Sequence, residues 1–239
     1  MIYLVSVSSN NILEYSDYLK IIEDIESQIT IKDKVIIVTS SKNNYSENKL
    51  ESILKENINT PKTIVDTMLS LNEIESACYL SLYLNKNKKT NKLLMPHQIP
   101  IVCDKTVEYI EMNNIIYTLT KYQYLIIPGN YGITRCLDYI MYNNDSPESL
   151  IVYLYNELLK RKYKTKVHLY KPIEQLNFGD GLNYSTNEKI HNINYLEIDN
   201  YKNALERYIS IDVINNIKLN KLKLTIGNRF LKGTTIIGN

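Results

Sequence analysis

Residues 124–159 read YLIIPGNYGITRCLDYIMYNNDSPESLIVYLYNELL, and this stretch decides the fold. It opens with four apolar residues, Tyr124-Leu125-Ile126-Ile127, cut off by Pro128-Gly129. A short apolar run stopped by Pro and Gly predicts a buried strand entering a tight turn. Gly132 lies three residues beyond Gly129, and a polar segment follows, Asn143-Asn144-Asp145-Ser146-Pro147-Glu148. Apolar residues then return at helical spacing, at Leu150, Ile151, Leu154 and Leu158. Asp145 or Ser146 suits the N-cap, Pro147 the first turn, and Glu148 the positive end of the helix dipole. Strand, turn, polar loop and capped helix together form a platform for an anion at a helix N-terminus. The same order also describes an ordinary βα unit with no ligand.

Upstream, residues 2–7 form a β-branched run that reads as a strand. Residues 13–29 carry Leu19, Ile22, Ile25 and Ile29 at helical spacing. Residues 35–38, Val-Ile-Ile-Val, are continuously apolar, the pattern of a strand buried on both faces of a parallel sheet. Strand, helix, strand predicts an α/β fold with right-handed crossovers. A helix is expected over residues 67–84, with Leu69, Ile74, Ala77, Leu80 and Leu84 on one face, and a shorter one over 50–54. Residues 115–119 are expected to pair with the strand at Tyr124, and further strands are expected over 167–170 and 222–226.

The net charge of +2 over 239 residues gives no reason to expect nucleic acid or an anionic membrane as partner. Tyr is abundant at 21 and Trp is absent, a bias that A+T-rich codons produce, so the tyrosines carry little functional weight. Cys78, Cys103 and Cys136 form no CxxC pair, and His97, His168 and His191 are equally scattered, so no metal site is expected. Cys78 and Cys103 read as buried thiols, which suits a reducing cytoplasm. The N-terminus lacks the pattern of a signal peptide, and no apolar run reaches membrane-spanning length.

Ordered motifs along the chain resemble the catalytic domain of aspartate kinases, in the amino acid kinase family. That family has a strand ending in Pro-Gly-Phe-x-Gly, then a Gly-Arg-Gly-Gly-Ser-Asp loop and a helix. Here Pro128-Gly129-Asn130-Tyr131-Gly132 fits the first element, and Tyr142-Asn143-Asn144-Asp145-Ser146 takes the place of the second without its glycines or arginine. Leu4-Val5-Ser6-Val7-Ser8-Ser9 stands where the family has Lys-Phe-Gly-Gly-Thr-Ser, and Val38-Thr39-Ser40 where it has Val-Ser-Ala. Ser70-Leu71-Asn72-Glu73 stands at Leu-Leu-Ser-Thr-Gly-Glu, and Gln98, Ile101 and Asp104 fit a later segment. Residues 171–176 replace a Thr-Asp-Val-Asp-Gly-Val nucleotide loop, keeping one acid, Glu174. Within residues 187–215, Arg207 falls on a nucleotide-contacting lysine.

The resemblance implies a three-layer αβα sandwich with a central, mostly parallel sheet. It implies a single domain over residues 1–239, with a substrate lobe of about 1–120 and a nucleotide lobe of about 121–239. It assigns substrate binding to Ser8, Ser9 and Glu73, nucleotide binding to Lys171, Glu174 and Arg207, and the phosphate loop to Gly129, Gly132, Asn143, Asn144, Asp145 and Ser146. Glu73 reads equally well as an acid in the first turn of its helix, and Lys171 as a solvated strand-end lysine. The phosphate lysine is replaced by Leu4, which supplies no cation to offset phosphoryl charge. Asp145 sets a carboxylate beside the expected phosphate and repels it. The expectation is an aspartate-kinase-like domain of impaired catalysis. It would act as a regulatory or partner subunit or bind a small amino acid, as a homodimer or paired with another kinase-like subunit. The alternative is a divergent amino-acid kinase that uses Mg-ATP to phosphorylate a carboxylate.

Overall fold

The computed structural model describes residues 1–9, 15–41, 60–103, 107–141, 148–171, 175–177, 183–185, 222–226 and 234–237. The chain begins with β1 (Ile2–Ser9), α1 (Tyr15–Glu26), β2 (Lys34–Ser41) and the long helix α2 (Lys62–Lys86). Next come β3 (Asn91–Leu93), β4 (Ile101–Cys103), β5 (Val107–Ile110) and α3 (Met112–Lys121). The central stretch gives β6 (Tyr124–Pro128), β7 (Tyr131–Ile133), β8 (Tyr139–Met141) and α4 (Glu148–Lys160). β9 (Thr165–Lys171), a β10 (Gln175–Asn177) and β11 (Asn183–Ser185) hairpin, β12 (Leu222–Ile226) and β13 (Thr234–Ile237) follow.

The main sheet has the order β13-β12-β9-β1-β2-β6-β3. Every pairing in it is parallel except β12 with β13. It draws strands from both halves of the chain. Helices cover both faces, so the expected α/β sandwich is what the chain forms. The two-residue period of each strand assigns the faces. Leu4, Ile36, Val38, Leu125, Ile127, Val167 and Leu169 pack with Met112, Ile115 and Leu119 of α3 and Leu150, Leu154 and Leu158 of α4. Tyr3, Val5, Val35, Ile37, Tyr124 and Ile126 pack with Ile21, Ile22 and Ile25 of α1 and Ala77, Leu80 and Leu84 of α2. The continuous apolar runs at residues 35–38 and 124–127 are sealed on both sides, as their composition requires.

A second sheet, in the order β5-β4-β7-β8, sits beside the first. Its middle needs Gly132: a Cβ there would lie 2.5 Å from Cys103 Sγ and 2.6 Å from the Ile101 carbonyl oxygen. β4 and β7 are parallel neighbours, and glycine lets their backbones close together.

Residues 115–119 do not pair with β6 as a strand; they lie inside α3. Met112, Ile115 and Leu119 recur at i, i+3 and i+7 and are buried, while Asn113, Asn114 and Tyr117 face water, a helical period. The Glu111 carboxylate accepts from the Asn113 N–H at 3.0 Å and caps the first turn. The strands flanking β6 are instead β2 and β3. The helix expected over 67–84 is longer, beginning at Lys62 directly after Pro61. The helix expected over 50–54 and the segment 187–215 lie outside the described residues.

Candidate functional site

In an open parallel sheet, ligands bind beyond the carboxyl ends of the strands. At that edge β1 ends in Ser8 and Ser9, β2 in Ser40 and Ser41, and β6 in Pro128, followed by Gly129 and Asn130. The Gly129 N–H donates to the Thr39 carbonyl at 2.7 Å, tying the turn to β2. Asn130 has φ +61°. Asn is among the few L-residues that take this left-handed conformation at modest cost. The conformation turns the chain from β6 into β7 and buries the Asn130 side chain to 7% exposure.

The Asn130 amide nitrogen donates to Ser40 Oγ at 2.7 Å and to Glu73 Oε1 at 3.1 Å. The pairing fixes the orientation of the amide, because a carboxylate only accepts. The amide oxygen Oδ1 is left buried without a partner, as are Ser6 Oγ and Thr39 Oγ1. Buried polar atoms are nearly always satisfied, so each of the three calls for a partner such as water or a bound group, Asn130 at the strand ends and Ser6 and Thr39 on opposite faces of the sheet.

Helix α2 supplies the acids. Asp66, Ser70, Glu73, Ala77, Leu80 and Leu84 lie on one face and are all buried. The lower half of that face is apolar and packs on the sheet, while the upper half is polar and meets the strand ends. The Asp66 carboxylate accepts from the Met141 N–H of β8 at 3.2 Å, and Ser70 Oγ donates to the Thr67 carbonyl at 2.7 Å. Tyr131 and Tyr139 form an edge-to-face pair beside this face. Tyr131 Oη lies 3.8 Å from Met95 Sδ, and Tyr139 Oη lies 3.4 Å from His97 Nδ1. Burial raises the Tyr131 hydroxyl far above the usual tyrosine range, with the charges of Tyr139 and Glu73 adding to the effect.

Glu73 is therefore at the strand ends. It stands well inside α2, whose first turn holds no acid, so the first-turn reading of Glu73 does not apply. Leu4 is fully buried between the sheet and the α3 and α4 layer. Ser8 and Ser9 pair by backbone with Ser40 and Ser41. Gly129 is at the β6 turn, and Gly132 is inside β7 against β4. Lys171 closes β9, one register step beyond the Val7–Tyr170 pair and so at the same edge. Asn143, Asn144, Asp145, Ser146, Glu174 and Arg207 lie outside the described residues. Among the described residues, no group of three or more His, Cys, Asp or Glu is arranged to hold a metal ion.

Sequence reasoning assigned no role to Asn130, Ser40, Thr39 or Asp66. A signal existed for Asp66. Asp66 and Ser70 precede Glu73 at i−7 and i−3, on the same helical stripe as Ala77, Leu80 and Leu84.

No protein-family model matches the chain, and no curated protein matches its sequence. Solved structures do match. An aspartate kinase from Synechocystis aligns over 100% of this chain and 40% of its own, at 11% identity and a TM-score of 0.65. E. coli aspartokinase III, in complex with aspartate and ADP, aligns over 100% of this chain and 65% of its own, at 8% identity and a TM-score of 0.66. An isopentenyl phosphate kinase aligns over 97% of this chain and 93% of its own, at 9% identity and a TM-score of 0.60. This chain thus spans less than two thirds of the length of either aspartokinase. The class that the fold defines is plain: the chain has the amino acid kinase fold.

Proposed function

We propose that this chain is a ligand-binding domain with the amino acid kinase fold, impaired in phosphoryl transfer, that takes a small amine-bearing molecule such as an amino acid. The observation that carries the reading is the buried Ser40–Asn130–Glu73 bridge at the strand ends, whose Asn130 oxygen is buried with no donor. An ammonium group would donate to that oxygen and be attracted by Glu73. Impairment is supported by Leu4, an apolar side chain sealed in the core where the resemblance puts the phosphate lysine. Three cysteines without disulfides suit a reducing compartment such as the cytoplasm.

Thermal-shift titration of the purified protein with aspartate, related amino acids and Mg-ATP, beside a product-specific assay for acyl-phosphate, tests this. An amino acid at a hundred times its Kd adds about 2.7 kcal/mol, which raises Tm by roughly 5–10 °C in a domain of this size. Mg-ATP is expected to leave Tm unchanged below millimolar concentration, with no turnover. Robust turnover of ATP with aspartate would overturn impairment and favour a divergent kinase. The backbone position of Lys171 at the same sheet edge supports that second reading. In that case Lys171→Ala and Arg207→Ala would each have to lower the rate.

The partner role is assigned to a second copy of this chain, docked along α2. Ile64, Met68, Leu71, Tyr79 and Leu82 are exposed along that helix. With Glu75 and Cys78, the residues Ile64, Met68, Leu71 and Leu82 follow a seam of three- and four-residue steps, the spacing by which two helices pair, and Tyr79 flanks it. In an antiparallel two-fold pairing centred near residue 73, Glu75 meets Leu71 of the other copy. A parallel pairing would set Glu75 against Glu75, so antiparallel docking is favoured.

A further inference from the structure

At the opposite edge of the main sheet, where the parallel strands begin, a cavity of about 390 Å³ opens between β1, β2, α3 and the turn after α4. Its volume falls within the range of small-molecule sites. Four lysines line it. Lys32 and Lys34 come from the entry to β2, and Lys162 and Lys164 from the turn that leads into β9. The pairing explains the convergence: Ile2 of β1 lies between Lys34 on one side and Thr165 on the other, so the two lysine pairs flank the start of β1. Ile2 and Leu119 give the cavity an apolar floor.

No described carboxylate pairs with any of the four. Lys34 Nζ donates to the Tyr122 carbonyl at 3.0 Å. Asp33, which stands between Lys32 and Lys34 in sequence, accepts from Thr30 N and Oγ1 at 2.8 and 2.9 Å and pairs with the Met1 amino group. Four lysines around one concavity give it a positive local potential, which favours a bound anion.

We propose that this cavity binds a small organic anion, its phosphate, sulfonate or carboxylate head among Lys32, Lys34, Lys162 and Lys164 and its apolar body over Ile2 and Leu119. The site is separate from the one at the strand ends. Eight residues of β1 place the two roughly 25 Å apart.

A clean variant exists. Lys162 has φ +62° and closes α4, its N–H donating to the Leu159 carbonyl while the Tyr163 N–H donates to that of Leu158. That is the position at which helices prefer glycine. Lys162→Gly therefore removes one ammonium without disturbing the turn. Lys88 takes the same conformation after α2, so the backbone of Lys162 is no part of the argument.

The test is fluorescence titration with anilinonaphthalene sulfonate, which combines one anionic head with an apolar body, followed by competition with AMP and with inorganic phosphate. Saturable one-site binding is expected in the wild type. Lys162→Gly should weaken it about five-fold, one exposed charge contact, and the triple variant Lys32→Ala/Lys162→Gly/Lys164→Ala should abolish it with circular dichroism unchanged. Competition by AMP alone assigns the site to phosphorylated organic molecules, and equal competition by phosphate assigns it to the head group. Absence of saturable binding by all three probes, or binding untouched in the folded triple variant, would overturn the proposal.

Discussion

Asn130 joins backbone and site in one residue. Its φ of +61° is a conformation that glycine adopts freely, Asn tolerates and alanine resists. Its amide bridges Ser40 and Glu73. Backbone and side chain can be separated by substitution. Asn130→Gly loses the bridge and keeps the turn, while Asn130→Ala loses both. The alanine variant should be less stable than the glycine variant by about 1 kcal/mol, or roughly 2–4 °C in Tm. Both should lose the amino-acid-induced thermal shift. Equal stability of the two variants in urea unfolding would show that the left-handed turn carries no strain. Gly132, two residues on, answers a different need, since its missing side chain is the space that β4 occupies.

Among the elements, α2 meets three environments at once. Its apolar buried half holds the sheet, its polar buried half lines the strand ends, and a third face of large apolar residues meets water. Leu71 and Leu82 are 57% and 64% exposed, too many large apolar groups on one stripe to be scattered surface residues. Leu71→Glu sets an acid opposite Glu75 of the other copy in the antiparallel arrangement. It should therefore shift a dimer to monomer in sedimentation equilibrium, while Leu71→Lys should retain dimer better. A wild-type chain that is monomeric at tens of micromolar would remove the second copy as the partner.

Across the whole molecule, three buried tyrosines couple stability to alkaline pH. Tyr124, Tyr131 and Tyr170 have hydroxyls held far above the ordinary tyrosine value of 10.0, in each case chiefly by burial. Tyr124 also donates to Glu26 and Tyr170 to Asp24, so ionisation would set like charges together. Below pH 10 these tyrosines are neutral in folded and unfolded chains alike, and their contribution is fully present. Above pH 10 the unfolded chain releases protons that the folded chain retains, so stability falls as pH rises. The slope is about 1.4 kcal/mol per pH unit for each tyrosine, about 4 for the three. Urea unfolding at stepped pH should show this loss beginning near pH 10, with tyrosinate absorbance rising together with unfolding. Stability level to pH 12, or tyrosinate formation in the folded chain near pH 10, would contradict it.

The sequence by itself determined the α/β class, because four-residue apolar runs that suit both faces of a sheet alternate with helical stripes. It determined β1, β2, β6, β9 and α2, whose patterns are strong and local. It also placed Glu73 on the helix that meets the strand ends and marked Leu4 as no cation. It misjudged residues 115–119, where five mixed residues fit either period and the deciding cap, Glu111, is a single side-chain contact. Only the tertiary structure decided that Asn130 meets Glu73 and Ser40, partners 57 and 90 positions away. Only it decided that lysines of two separate turns share one cavity. Local pattern reports which face of an element is apolar. Which polar residues meet is set by strand order, here β9-β1-β2-β6, and that order follows from packing across the whole chain.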